Sequence, residues 1–384
     1  TRAPPACTTP ARSDRRGEAA RPLNVHLQPV GRPAIHSHSS ATPDPAAAGR
    51  PSDRRLLVGL ALAVLGGLWL VAGLVAFPGA EGWGYDYQAY ADAATRLSES
   101  GSLYQAETLD GPYRPGPYGL YMYAPPLGIA VAPLTGLDLD TGIALWYLLH
   151  LVALVAACAL LPVPGWTRLA TFSVAALSLA VTRDLVLGNV SVLLLLPLAA
   201  AWRWLDRPAG AVAQALAMSV RPMLGVLLIW QLLRRQWQAV AWTVGTGLVL
   251  IVLTLPFAGL EGYREYLTVL RNLGGVTGVE HNLDLSTTLA ALGVDDGLAE
   301  LALLAGYGLA VAAVGLSLRR EPELGFVVTA TASLLLSPLL WDHYLTMLVL
   351  PAAYLAARGR AWGLALPLLS WLPPLTLPFV VLAA

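Results

Sequence analysis

The chain has 384 residues, of which 56% are hydrophobic and 12% charged, with a mean hydropathy of +0.60, whereas soluble domains carry about 25% charged residues. A fold in water could not hide that much apolar surface, so a soluble globular protein is excluded. The 24 basic residues, all arginine, balance 24 acidic ones; zero net charge says little about partners, no nucleic acid is expected among them, and the absence of lysine reads as GC-rich, bacterial codon usage. Cys7 and Cys158 offer neither a disulfide framework nor a metal-ligand spacing.

Residues 1–50 are rich in Pro, Ala, Ser and Arg without apolar periodicity, the composition of a disordered tail, here read as cytoplasmic. The chain starts at Thr1 rather than Met, consistent with an upstream misreading of part of this tail or with a fragment. Its His36 and His38 have no third ligand and read as solvated. Residues 51–384 read as one membrane domain.

The first apolar run, Leu56 to Phe77, follows Arg50, Arg54 and Arg55, which places its N-terminus in the cytoplasm by the positive-inside rule. The segment 79–119 is polar and aromatic, and Tyr87 to Ser98 has the spacing of a helix lying on the outer membrane surface. The run 121–136 contains Pro125, Pro126 and Pro133 and reads as re-entrant or broken. Further runs at 141–161, 169–182, 188–204, 209–220, 222–233, 237–257, 297–318, 323–338, 344–357 and 361–382 bring the expectation to about 11 crossings of an all-α polytopic fold.

If each run crosses, Arg168, Arg203 with Arg207, Arg234 with Arg235, Arg319 with Arg320, and Arg358 with Arg360 fall on the cytoplasmic side. Asp86, Arg183 with Asp184, Arg221, the loop 258–295 and Trp341-Asp342-His343 fall outside. Loop charge alone thus gathers the chemically versatile groups on one face.

Asp86, in Gly82-Trp83-Gly84-Tyr85-Asp86-Tyr87, reads either as a general base beneath interfacial aromatics or as the N-cap of the following helix. Arg221 interrupts an apolar stretch, where a charge costs roughly 2.5–3.5 kcal/mol. It calls for an anionic ligand such as a phosphate, for an ion pair with Asp184, Asp284 or Asp342, or for simple placement at the interface. Trp341-Asp342-His343-Tyr344 is a polar cluster in an aromatic frame, suited to an anionic head group or proton transfer. His150 reads as a buried histidine bonded to a neighbouring helix. There is no Walker A loop, no Rossmann glycine pattern and no HExxH, and Asp138-Leu139-Asp140 sits at a turn, so no cofactor or metal is expected.

Four stretches carry a resemblance: Asp86-Tyr87-x-x-Tyr90-x-x-Ala93-Ala94 with Leu103-Tyr104; Tyr123-Ala124-Pro125-Pro126-Leu127; Leu187-Gly188-Asn189-Val190-Ser191 with Arg221-Pro222; and Ser337-Pro338-Leu339-Leu340-Trp341-Asp342-His343-Tyr344, the most specific. From about residue 55 the chain resembles glycosyltransferase family 87 (DUF2029-type), polyprenyl-phosphate-mannose-dependent mannosyltransferases of the GT-C superclass. The resemblance implies Asp86 as base toward an acceptor hydroxyl, Arg221 and His343 on the donor phosphate, and Asp342 orienting His343. Tyr123, Asn189 and Trp341 are further substrate-binding candidates, joined by Arg183 on topology alone. The implied partners are a polyprenyl-phosphate sugar donor, a glycolipid or cell-envelope glycan acceptor, and the lipid bilayer of a bacterial plasma membrane, with the site on its outer face. Asn189 departs from the Gln usual there, and Asn282-Leu283-Asp284-Leu285-Ser286 from an Asn-Gln-Ser-Leu run. A pentose such as arabinose in place of the hexose, a lipid-linked-sugar transporter or flippase, and a structural membrane subunit are the rival readings; the two halves show no matching repeat of the kind transporters carry.

Overall fold

The computed structural model describes residues 53–111, 119–273, 282–337 and 339–372, and every regular element among them is helical. The tail, Pro338 and the end of the last apolar run lie outside the described residues.

Helix α1 (Asp53–Ala76) is apolar all round, and Leu57, Leu68 and Val75 stand exposed on it. A helix with no polar face is stable only deep in a core or in lipid, and exposure of this kind fits lipid. The same holds for α5 (Leu139–Leu160), α13 (Asp296–Ser317) and the part of α11 (Trp237–Leu273) that precedes Gly259, the other long apolar stretches. These four are long and apolar enough to cross a membrane, or five if α6 (Gly165–Ala176) and α7 (Leu179–Leu187), bent by 61° at their junction, form one span. The run 169–182 is thus broken where Ser178 leaves the helix and caps α7, its side chain accepting from Val181 N. Others of the expected crossings are shorter apolar helices: α8 (Ser191–Arg203), α9 (Pro208–Val220) and α14 (Pro322–Leu335). Two more runs are part 3₁₀: α10 (Val226–Leu233) follows a 3₁₀ turn at Pro222–Gly225, and α15 (Val349–Ala357) follows one at Asp342–Leu348. Short and broken helices are tolerated at membrane depth where they are buried in protein.

α1 packs on α6, α5 on α8, α8 on α9, and α9 on α11. Small side chains let the backbones approach: a Cβ at Gly66 would come within 2.9 Å of Ala176 Cβ. Polar side chains join helices as well, with Gln231 Nε2 donating to Gln214 Oε1 (3.0 Å) and Thr243 Oγ1 to Gln231 Oε1 (3.2 Å).

After α1 the chain forms α2 (Tyr85–Ser100) and α3 (Ala106–Asp110). The proline-rich run yields α4 (Pro125–Val131), short as the prolines dictate, with Tyr121 bracing its start: the hydroxyl donates to Ala124 O (2.7 Å) and accepts from Gly128 N (2.7 Å). The described parts of the expected loop 258–295 are largely helical instead. Gly259, at φ 62° and ψ −179°, breaks α11, a conformation that glycine reaches most readily. The arm 260–273 beyond it is tied to the α2–α3 segment, where Ser102 Oγ donates to Glu265 Oε2 (2.8 Å) and Asn272 Nδ2 to Thr108 O (2.9 Å). Helix α12 (Leu285–Ala291) follows, capped by Asp284, which accepts from Thr287 N (2.9 Å).

Candidate active site

Asp86 is the second residue of α2, so it is not the N-cap; Gly84 holds that place. Its carboxylate instead accepts from Asn189 Nδ2 (Oδ2, 2.8 Å), and its other oxygen lies against Gly119, where a Cβ would sit 2.8 Å from Oδ1. Burial, the largest influence, pushes the Asp86 carboxyl above its ordinary value, while His343, Asn189 and Arg221 pull it down.

Asn189 stands in the turn between α7 and α8. Its Nδ2 also reaches Tyr123 Oη (3.3 Å), which accepts from Tyr90 Oη (3.2 Å). Its Oδ1 accepts from Arg221 Nη2 (2.6 Å) and Ser191 Oγ (3.0 Å). The amide therefore turns its donor to the carboxylate and its acceptor to the guanidinium, the only orientation that suits both charges.

Arg221 is 4% exposed at the end of α9. No carboxylate pairs with it among the described residues; its partners are Asn189, Ser191 Oγ (2.7 Å) and the ring of Tyr344, whose centroid lies 3.5 Å from Cζ. The ion pair weighed from sequence is thus not formed. Two of its nitrogens, Nε and Nη1, are buried without a hydrogen-bond partner among the described residues.

The Trp341-Asp342-His343-Tyr344 segment brings its rings together, His343 5.0 Å from Tyr344 and 5.9 Å from Trp341 between centroids. Asp342 Oδ1 accepts from His343 N (2.7 Å) and lies 3.3 Å from His343 Nδ1, while Oδ2 takes Arg183 Nε (3.1 Å). Burial alone would raise Asp342; the His343 hydrogen bond and charge, with Arg183, override it and hold the carboxyl at about 2. His343 is 3% exposed, and its Nε2 is buried without a hydrogen-bond partner among the described residues. The segment is positioned from Asn282–Asp284: Leu283 N donates to Leu340 O (2.6 Å) and Leu340 N to Asn282 Oδ1 (2.9 Å).

The scaffold behind Asn189 is legible from sequence only in part: His150 reads as buried and bonded to a neighbouring helix, whereas Asp184 reads as one ion-pair candidate for Arg221 rather than as a support for the backbone. Asp184, fully buried, accepts from Ser191 N (3.0 Å) and Val192 N (2.9 Å) at the start of α8. His150 on α5 bonds to Asn189 O and to Trp146 O (2.7 Å), as a buried structural histidine should. Trp146 Nε1 donates to Gly188 O (2.8 Å), and Gly188, at φ 70°, leaves no room for a Cβ, which would meet Tyr87 Cβ at 2.9 Å. For Asp184 the sequence signal was the spacing Asp184-x₄-Asn189-x-Ser191, which puts a carboxylate at the end of one helix within reach of the next.

All eight sequence candidates belong to one connected cluster: Asp86, Tyr123, Asn189 and Arg221 through hydrogen bonds, and Trp341, Asp342, His343 and Arg183 through Tyr344 beneath Arg221. Among the described residues no three His, Cys, Asp or Glu side chains gather as a metal site. The arrangement offers a proton acceptor at one end and unsatisfied cationic and imidazole donors at the other. The family described as glycosyltransferase family 87 matches the chain over residues 121–338. No curated protein and no solved structure matches it.

Proposed function

Because the chain belongs to glycosyltransferase family 87 and is built of apolar membrane helices, it is a membrane glycosyltransferase, and we propose that it moves a hexose, mannose, from a polyprenyl-phosphate carrier to a glycolipid or cell-envelope glycan. The site works on the outer face of the plasma membrane, the side opposite the clustered loop arginines. The acceptor oxygen attacks the anomeric carbon as its proton passes to Asp86; the bond from that carbon to the phosphate oxygen breaks with inversion, and polyprenyl phosphate leaves. Burial raises the proton affinity of Asp86, which suits a base. Arg221 and His343 hold the leaving phosphate, with Asp342 fixing the His343 ring and Arg183 fixing Asp342. Asn189, Tyr123 and Trp341 line the sugar.

The observation that carries the reading is Arg221: a buried guanidinium with neutral partners and two unsatisfied nitrogens. A buried charge is costly unless paired, and a phosphate arriving with the donor supplies both the charge and the acceptors. A polyprenyl carrier reaches the site from lipid and needs no nucleotide-binding loop.

The test is transfer of radiolabelled mannose from synthetic polyprenyl-phosphate mannose into membrane lipid by the purified protein, with Asp86→Asn alongside. Transfer by wild type and loss in the folded variant supports donor and base together. Transfer of arabinose from the corresponding pentosyl carrier, and not of mannose, overturns the sugar assignment; full turnover by Asp86→Asn overturns the base.

A further inference from the structure

A groove of about 780 Å³ lies between α13, α14 and α15, and none of the eight candidate active-site residues lines it. Its mouth includes Arg320 and Glu321 at the start of α14, whereas the other end of that helix leads into Ser337 and Trp341. The 14 residues of α14 rise about 20 Å, so the mouth faces the leaflet opposite the active site. The walls are apolar, with Leu309, Ala313, Leu324, Val328 and Leu335 among them. Leu309 is 60% exposed, so the groove opens sideways toward lipid.

The mouth carries more positive charge than its carboxylates neutralise. Arg358 is occupied: Nη1 lies 2.5 Å from Glu321 Oε1 and Nη2 3.5 Å from Glu323 Oε2, with its guanidinium 4.6 Å from the Tyr354 ring centroid. Tyr354 Oη donates to the same Glu321 oxygen. Both glutamates are thereby engaged, and Arg320 and Arg360 at the rim have no ion-pair partner among the described residues. Arg234 holds the approach to this rim, its Nη1 donating to Leu318 O (3.0 Å) and Arg320 O (3.0 Å).

We propose that this groove binds an anionic glycerophospholipid of that leaflet, an acyl chain lying along α13 and α14 and the phosphate between Arg320 and Arg360. Basic pockets between membrane helices recognise acidic head groups in this way, and the volume falls within the range of small-molecule sites, enough for a head group and part of one chain while the rest lies in the bilayer. The free arginines choose phosphate over a neutral occupant; the open apolar wall chooses a chain-bearing lipid over free phosphate.

Binding is measured on the full chain, purified and delipidated in neutral detergent, by native mass spectrometry with phosphatidylglycerol, phosphatidylcholine and inorganic phosphate. Phosphatidylglycerol should bind roughly thirtyfold tighter than phosphatidylcholine, given about 1 kcal/mol for each of two arginines, and inorganic phosphate should not compete. Arg320→Gln with Arg360→Gln should abolish the preference, and Ala313→Trp should exclude both lipids. Equal binding of the two lipids, a preference surviving the double substitution, or competition by inorganic phosphate would overturn the proposal. Binding of polyprenyl phosphate that displaces phosphatidylglycerol would overturn it in favour of the donor's carrier. None of these readouts depends on glycosyl transfer, so the proposed function and the lipid site can fail separately.

Discussion

At Asp86 burial and partners pull in opposite directions, and burial prevails. A carboxyl whose folded proton affinity is raised adds stability at low pH that disappears as pH climbs through its folded value. Asp86→Asn should therefore unfold at a higher temperature than wild type at pH 7, with the gap closing toward pH 4 in thermal scans, while transfer falls by about 10²- to 10⁴-fold. Such a trade of stability for activity marks a residue kept for chemistry. Arg221 makes the complementary case. Because its partners are neutral, Arg221→Met should leave the unfolding temperature unchanged or raised, yet weaken donor binding by about ten- to hundredfold, the worth of charged hydrogen bonds of about 1.5–3 kcal/mol, as read in donor titrations.

Two structural joints set the site at the level of elements. The turn from α7 to α8 is held by Asp184, whose two oxygens take the first free N–H groups of α8. Asp184→Ala strands both donors, and chemical denaturation should show a loss of about 2–6 kcal/mol, at about 1–3 kcal/mol for each buried N–H left unpaired. The second joint links α7 to the 3₁₀ turn Asp342–Leu348 through Arg183 and Asp342. Here the folded carboxyl lies low, at about 2, so its contribution is present above the ordinary carboxylate value near 3.8 and is lost as pH falls toward 2. Arg183→Gln should raise that carboxyl and shift the acid-unfolding limb to higher pH, which a pH series of thermal scans measures. The Gly259 break was not foreseen, since a single glycine inside a hydrophobic run carries no directional information, and the arm beyond it, with Glu261, Arg264 and Glu265, looks like loop by composition.

Across the whole molecule, the orientation rests on arginine distribution. A membrane-impermeant maleimide applied to intact cells should label Ser98→Cys and leave Arg360→Cys unlabelled, in a Cys7→Ser background where Cys158 is buried; the reverse pattern would put the site in the cytoplasm. Membrane class, helical architecture and a set of candidate site residues are legible in the chain before it folds, because hydropathy, proline placement and short motifs are local properties. Sequence alone leaves the partners of those residues open. Asp86 and Asn189 are 103 positions apart, and Arg221 and Asn189 are 32 apart, so which side chain answers Arg221 depends on how α2, α8 and α9 pack. The packing places Asn189, rather than an aspartate, against both the carboxylate and the guanidinium. It likewise sets Asp184 against the backbone of α8 instead of against Arg221, and gives the buried His150 its particular partners, Trp146 O and Asn189 O. Packing brings distant polar groups within 3 Å, and hydrogen-bond geometry then assigns each of them a partner.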